Sequence, residues 1–240
     1  MTCPRYPLPV VDKIVIGQSI AELIGKDPAS KAKNSYKRAL ELDPTLGGAA
    51  INLARLSLDN RDEDNMKAAR EALRLLVERR QGGAEVATVL SEIEAALGNL
   101  TAAADAAHSA TTMDAASSGA WRAQAAALLR QPGQYEAGAH AYFAGVDALT
   151  DAASDAYFED LIPVASERER TEWEAGDLDF KRTFLKRFWN TRAASSGVTV
   201  AERLAEHYQR LALAHERYRR TSKRGAAPVE RPFDDEADVA

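Results

Sequence analysis

Residues 84–113 read AEVATVLSEIEAALGNLTAAADAAHSATTM, and this stretch decides the fold. Its first half carries apolar side chains at helical spacing. Gly98 supplies the turn, because glycine readily adopts the left-handed conformation that ends a helix. Its second half places Ala103, Ala107 and Ala110 four and three residues apart, on one helix face. Small side chains on one face let a second helix pack closely, so the stretch predicts a tight helical hairpin.

The same small-residue pattern recurs along the first 150 residues. Equivalent positions are Ala32, Ala69, Ala103 and Gly138, which are 37, 34 and 35 residues apart. Independent hairpins do not need a nearly constant period, whereas stacked repeats do. We therefore predict about four stacked hairpins, forming an α-solenoid over residues 13–150.

The composition also favours an all-α fold. The chain has 240 residues, of which 45% are hydrophobic and 28% charged, and its mean hydropathy is −0.36. These values are typical of a globular protein long enough to bury a full core. Good helix formers fill most of the chain, and valine and isoleucine are sparse after residue 24. This scarcity argues against an extensive sheet.

The hairpins resemble tetratricopeptide repeats (TPRs). The positions that carry the resemblance are Ala84, Ala87, Leu90, Gly98, Ala103, Ala107 and Ala110 in the third hairpin, Ala32, Tyr36, Ala39 and Pro44 in the first, and Trp121, Gly133 and Tyr142 in the fourth. Arg61 departs from the pattern at a turn glycine, and Ala115 and Thr150 depart at closing prolines. The resemblance implies a binding surface rather than an active site. A generic stack of α-hairpins stays open as the alternative.

Beyond residue 150 aromatic side chains replace the small-residue pattern. Phe180, Phe184 and Phe188 recur every four residues, which predicts a helix with a wide aromatic face. Further helices are expected over 152–162, 167–173 and 200–220. The one over 167–173 should be a polar surface helix. We expect residues 151–220 to form a C-terminal helical region that caps the repeats.

A second resemblance covers about residues 155–220. The stretch FLKRFWNTR at 184–192 is followed by Glu202, His207-Tyr208, Arg210 and Glu216-Arg217-Tyr218, and together they are similar to the opening half of the GWxTD domain family. Bacterial proteins of that family often join TPRs to such a domain. The Gly-Trp-x-Thr-Asp stretch itself is not in this sequence. The resemblance implies a truncated product or a divergent member, and it implies no particular biochemical activity.

Charge is distributed unevenly along the chain, whose net charge is −5. Residues 1–180 carry 18 basic and 28 acidic residues, whereas residues 181–224 carry 12 basic and 3 acidic residues. The basic segment 181–224 could contact nucleic acid, since aromatic residues lie between its cations, or dock onto the acidic repeat region or an acidic partner. The aromatic spacing favours a core role over base stacking, and the net negative charge disfavours nucleic acid.

The sequence contains no pattern typical of a catalytic, cofactor or metal site. Of the four histidines, only His207 and His215 are close in sequence, and eight residues span about 12 Å along a helix. One metal ion cannot join them, because its ligands lie about 2 Å away. Cys3 is the only cysteine, and the glycine pairs lack the lysine and hydroxyl residue of a phosphate loop. We expect a protein without enzymatic activity, cofactor or metal.

The first helices of stacked hairpins line a shared groove, which is the candidate binding site. Its outward polar residues are predicted to be Asn52, Arg55, Glu85, Thr88, Glu92, Arg122 and Arg130. This mixture suits an extended peptide or a partner helix. The alternative is that any one of these residues simply belongs to a solvated surface.

The two ends are expected to lie outside the repeats. Three prolines predict an extended arm over 1–12, and an acidic stretch with few apolar groups predicts a disordered tail over 221–240. No stretch approaches the 18 apolar residues of a membrane span. As written the sequence suggests a cytoplasmic protein, whereas a start upstream of Met1 would leave export or an envelope location open.

We therefore expect an interaction scaffold that binds a protein or peptide in the repeat groove. The first alternative is the helical N-terminal portion of a larger envelope-associated GWxTD-type protein, in which the repeats serve assembly. The least favoured is nucleic-acid binding through residues 181–224. These hypotheses fix neither the identity of the partner nor the oligomeric state.

Overall fold

The computed structural model describes residues 28–222, and this part of the chain contains eleven helices and no strand. The helices are α1 (Pro28–Leu42), α2 (Gly47–Asp59), α3 (Glu63–Glu78), α4 (Gly83–Ala96), α5 (Leu100–Met113), α6 (Ser118–Leu128), α7 (Tyr135–Asp147), α8 (Asp151–Glu159), α9 (Glu167–Ala175), α10 (Leu178–Ser196) and α11 (Val200–Ser222). The prediction of an all-α fold is confirmed. The predicted N-terminal arm, residues 13–27 of the predicted repeats and the tail beyond Ser222 lie outside the described residues.

The chain divides into two compact units, the first ending at Leu75 and the second beginning at Leu76. In the first unit, α1 packs against α2. Its core includes Leu53 and Leu73, with the predicted repeat residue Ala69 fully buried and Ala32 half-buried.

The turn between α2 and α3 is shorter than the polar sequence around it suggests. The polar stretch 59–65 suggests a long loop, but helical structure extends into it from both sides and only residues 60–62 connect the helices. Arg61 occupies the position of the missing glycine with a φ of 51°, in the left-handed region. The amide of Asp62 donates to the Ser57 carbonyl at 2.8 Å, which closes the end of α2.

The second unit begins with two hairpins, α4–α5 and α6–α7. Ala103, Ala107 and Ala110 on α5 have no exposed surface, and Gly138 on α7 is buried as well. A Cβ at Gly138 would lie 2.9 Å from the backbone nitrogen of Leu129. The small residues that mark the repeat therefore let the helices of a hairpin approach closely.

The remaining helices of the second unit, α8 to α11, pack around aromatic side chains. Helices α10 and α11 pack against each other and against α7, and α10 also contacts α8 and α9. Phe184 and Phe188 are buried, which confirms the core role predicted for them, and Phe180 is half-buried against the same core. Trp173 is buried too and stacks on Phe158 at 4.8 Å, so α9 is more than a polar surface helix.

Side-chain caps define where these C-terminal helices begin. Thr150, which departs from the repeat pattern, caps α8 by accepting a hydrogen bond from the Ala153 amide. Ser166 and Glu169 form a capping box at the start of α9. Asp177 caps α10, and Gly197 ends it with a φ of 67°. Ser117 caps α6 in the same way by accepting a hydrogen bond from the Ala120 amide, so side-chain caps occur on both sides of residue 150.

Candidate functional site

Three of the predicted groove residues lie on one face of α4. Glu85 is exposed, while Thr88 and Glu92 are half-buried and follow at intervals of three and four residues. The Thr88 hydroxyl donates to the Ala84 carbonyl at 2.8 Å, which fixes its rotamer. The other side of α4 carries the buried apolar side chains Val86, Val89, Leu90 and Ile93. The structure therefore brings these three polar residues together on the outward side of a packed helix.

Arg122 on α6 is held in an internal ion pair. Its Nε and Nη2 atoms donate to the two carboxylate oxygens of Asp160 at 2.8 and 2.6 Å. The side chain of Arg122 is 25% exposed and that of Asp160 is 9% exposed. Burial opposes the charged form of Arg122, but the charges of Asp160 and, more weakly, Glu92 raise its pKa above the ordinary value. Arg122 thus links α6 to the turn that follows α8.

Asp160 is the centre of a buried polar network that sequence reasoning missed. Its Oδ2 atom also accepts from the Tyr208 hydroxyl at 2.8 Å, and its backbone carbonyl accepts from His207 Nε2 at 2.7 Å. Burial, and next the charge of Asp160, raise the pKa of Tyr208 well above its ordinary value, so this hydroxyl stays protonated. One feature of the sequence could have indicated that Asp160 is buried. It lies three residues after Tyr157, on the same core-facing side, at the end of α8.

Arg130 closes the end of α6 against its neighbours. Its Nη1 atom donates to the Ala95 carbonyl at the end of α4 at 3.2 Å, and burial lowers its pKa. Gln131 beside it donates from Nε2 to the carbonyls of Leu100 and Ala127. These contacts tie three helix ends together, so Arg130 contributes to the packing of the hairpins.

The other two predicted residues, Asn52 and Arg55, belong to the first unit. Both are exposed, and they follow each other at an interval of three residues on α2. They therefore share one face of that helix.

Cations of the basic segment are largely matched by acidic residues of the same unit. Arg192 pairs with Glu169 at 2.9 Å and lies 3.4 Å from the centre of the Phe188 ring. Arg187 pairs with Glu172 at 3.2 Å, and the remaining pairs are Lys186–Asp147, Arg182–Asp179, Arg203–Glu206 and Arg210–Glu206. Lys186–Asp147 thus joins the segment to a helix of the repeats, whereas the other pairs lie within the C-terminal helices.

A search of the described residues for metal-ligand clusters and membrane-spanning helices finds neither. Between residues 28 and 222, no three His, Cys, Asp or Glu side chains are arranged to hold a metal ion. Of the histidines, His207 is buried in the Asp160 network, and His108, His140 and His215 are exposed. None of the described helices is long and apolar enough to cross a membrane.

No protein-family model matches the chain, and no curated protein matches it.

Proposed function

We propose that the chain is a non-enzymatic interaction scaffold. Its hairpins stack as a TPR-like α-solenoid, and a peptide or a partner helix binds across α4 and α6 in the second unit. The C-terminal helices stabilise one end of this stack through the Asp160 network.

The observation that carries the proposal is the order in which the helices of the second unit contact one another. The first helices of successive hairpins are neighbours, since α4 packs against α6 and α6 packs against α8. The second helices alternate with them, because α5 contacts both α4 and α6, and α7 contacts α6. Stacked helical repeats have this alternation, and their first helices share one surface.

The side chains on this surface suit a rigid binding face. Glu85, Thr88 and Glu92 lie outward on a helix whose opposite side is buried. Arg122 beside them is fixed by two hydrogen bonds to Asp160. A face whose side chains are already ordered loses less conformational entropy when it binds a ligand. An extended peptide would meet carboxylates and a hydroxyl on α4 and a fixed cation on α6.

The ion pairs formed by the cations of α10 favour the interaction-scaffold hypothesis over nucleic-acid binding. Cations that pair with acidic side chains of the same protein would have to exchange those partners for phosphates. The aromatic side chains beside them, Phe184, Phe188 and Trp189, are buried and not available for base stacking.

The proposal is tested with peptides selected from a random display library on the immobilised full-length chain. Glu85→Arg reverses the charge at the most exposed of the three α4 positions. We expect the selected peptides to bind this variant roughly tenfold more weakly, the equivalent of about 1.4 kcal/mol.

Asp105→Arg is the matched control, because Asp105 is exposed on α5, a second helix of the hairpins. Binding to this variant should stay at the wild-type level. Equal loss in both variants, or no loss in Glu85→Arg, would exclude α4 as part of the binding surface. If the library yields no binding peptide and the chain binds a random single-stranded oligonucleotide, the nucleic-acid alternative is favoured.

A further inference from the structure

Three consecutive side chains attach α11 to the ends of the preceding helices. His207 bonds to the Asp160 carbonyl at 2.7 Å, and the Tyr208 hydroxyl donates to the Asp160 carboxylate at 2.8 Å. Gln209 Nε2 donates to the Tyr135 hydroxyl at 3.1 Å, at the start of α7. We call His207, Tyr208 and Gln209 the α11 anchor. It joins the last helix to the turn after α8 and to the turn before α7.

The anchor lies where α11 leaves the core. Leu204, Ala205 and Tyr208 are buried, whereas no side chain described between residues 209 and 217 is buried. Leu213 in that half is 53% exposed. Backbone hydrogen bonds of a helix exchange through local opening, which is governed by the contacts that hold the helix. The anchor therefore has a large influence on how often α11 opens.

His207 is the one member of the anchor that can change charge near neutral pH. A carbonyl oxygen only accepts hydrogen bonds, so Nε2 carries the proton and Nδ1 is the site that titrates. The ring lies 4.9 Å from the Trp189 ring, centre to centre. Arg192 of α10 and Arg203 of α11 act on it with positive charge, and Asp160 acts with negative charge.

The surroundings of His207 disfavour the imidazolium. Burial lowers the pKa of the imidazole below 6.5, the Asp160 carbonyl and carboxylate partly oppose this, and the two arginines add to it. Tyr208 faces the same carboxylate but stays protonated, because its pKa is raised well above the ordinary value. The Arg192 partner Glu169 has a pKa of about 2 and keeps its charge at mildly acidic pH.

We propose that protonation of His207 loosens the attachment of α11, so that this helix opens more often at mildly acidic pH. In the open state His207 is solvated and binds a proton with its ordinary affinity, whereas the docked state resists protonation. Linkage then raises the opening frequency by up to about thirtyfold at pH 5 relative to pH 8, the limit reached when the docked form does not bind the proton. Opening uncovers the part of the aromatic core that Leu204 and Tyr208 cover.

Hydrogen–deuterium exchange of the full-length chain at pH 5.0 and 7.5 measures this effect. Protection factors in α11, corrected for intrinsic exchange rates, are compared with those of α5 in the same molecule. We expect α11 protection to fall up to about thirtyfold at the lower pH while α5 protection changes little. In His207→Gln, which keeps an N–H donor but cannot become charged, the α11 difference should disappear.

His215→Gln is the matched control, because His215 is exposed on the same helix. It should retain the pH dependence of the wild type. The proposal is overturned if α11 and α5 respond equally in the wild type, or if the pH dependence is lost in His215→Gln and kept in His207→Gln.

An NMR titration of the histidine rings of the wild type covers the case in which His207→Gln does not fold. A His207 ring that titrates below the exposed His140 ring supports the proposal. A His207 ring that titrates at or above it contradicts the proposal.

Discussion

Among the described residues, two hydrophobic cores of the second unit are built from side chains of opposite size. The alanine core, between α4, α5 and α6, includes Ala87, Ala110 and Ala120, all without exposed surface. The aromatic core, between α7 and α11, is larger, and it includes Tyr142, Tyr157, Trp173, Phe184, Phe188, Trp189 and Tyr208. In the first core, small side chains fill the space between the helices. In the second, large ring side chains fill most of it.

The side chains of the two cores also differ in whether they carry polar atoms. Rings of the aromatic core carry polar atoms that bond to each other, as Trp189 Nε1 does to the Tyr142 hydroxyl at 2.9 Å. Alanine side chains offer no such atoms. The two cores should therefore fail in opposite ways: the alanine core when volume is added, the aromatic core when volume or a polar partner is removed.

The largest expected effect is the loss of Trp189, which is 1% exposed. Trp189→Ala removes most of a buried ring system and should lower the free energy of unfolding by about 3–5 kcal/mol. Trp189→Phe is the control, since it keeps an aromatic ring but removes the bond to Tyr142, and it should cost roughly 1–2 kcal/mol. Urea unfolding followed by circular dichroism measures both. Equal losses would mean that the volume of the ring is not what this core depends on.

The next effect concerns the ion pair that borders both cores. Arg122→Met removes the bidentate partner of Asp160 and leaves a carboxylate that is 9% exposed. We expect a loss of about 2–3 kcal/mol, less than for a fully buried pair because Arg122 is itself a quarter exposed. Combining it with Asp160→Leu removes the uncompensated charge and should recover part of the loss. A double variant no more stable than Arg122→Met would show that the charge is not the cause.

Sequence reasoning predicted the cores better than the network between them. Helical periodicity and small-residue spacing concern neighbours within one helix, so Ala103, Ala107 and Phe184 were assigned to the core correctly. Asp160 meets Arg122 from 38 residues away, and no local pattern specifies that pairing. The alanine core is thus predictable from the spacing of residues along single helices. The ion pair depends on how three helices meet.

The residues of the candidate site also fall into a group that was predictable from local spacing and a group that was not. Glu85, Thr88 and Glu92 follow a single-helix period, and their shared outward face was predictable. Arg122 and Arg130 were predicted to lie on the same surface, yet each bonds to another helix or turn. A long cationic side chain on a half-exposed position reaches neighbours that only the fold brings close.

Adding volume should damage the alanine core. Ala107→Leu inserts three carbon atoms at a position with no exposed surface and should cost about 1–3 kcal/mol. Ala102→Leu makes the same change at an exposed position of the same helix and should alter stability by less than about 0.5 kcal/mol. Chemical unfolding of the two variants beside the wild type is the measurement. A tolerated Ala107→Leu would show that α5 is not closely packed.

The ion pair of Glu169, beside the aromatic core, should make a pH-dependent contribution to the free energy of unfolding. Burial opposes the charge of Glu169, but Arg192 and the Ser166 amide lower its pKa from 4.5 to about 2. Because the folded-state pKa is depressed, the stabilisation is complete above about pH 4.5 and is lost as the pH falls towards 2. With allowance for solvent screening it is about 1–2 kcal/mol at pH 7.

Glu169→Gln should remove this contribution. The difference in unfolding free energy between wild type and variant is therefore large at pH 7 and small at pH 2.5. Glu174→Gln, at an exposed position of the same helix, controls for the change in net charge. A Glu169→Gln difference that does not change with pH would assign the effect to packing.

The smallest expected changes in the free energy of unfolding concern helix ends. Substitutions there should have equal effects beside the alanine core and beside the aromatic core. Gly98 ends α4 beside the alanine core with a φ of 86°, and Gly197 ends α10 beside the aromatic core with a φ of 67°. A Cβ added at either position meets nothing within 4 Å, so an alanine there pays only for its left-handed backbone. Gly98→Ala and Gly197→Ala should each cost about 1 kcal/mol. Unequal costs by chemical unfolding would mean that the cores influence how their helices end.

Arg80 offers the reverse substitution in the same kind of turn. It has a φ of 55°, and the Gln81 amide donates to the Leu76 carbonyl at 2.8 Å, as the Asn99 amide does to the Glu94 carbonyl beyond Gly98. Glycine adopts this backbone without the strain of a side chain, so Arg80→Gly should stabilise the protein by roughly 0.5–1 kcal/mol. A gain there that mirrors the loss at Gly98 would show that turn strain is set by the backbone alone. A loss would mean that the Arg80 side chain makes contacts worth more than the strain.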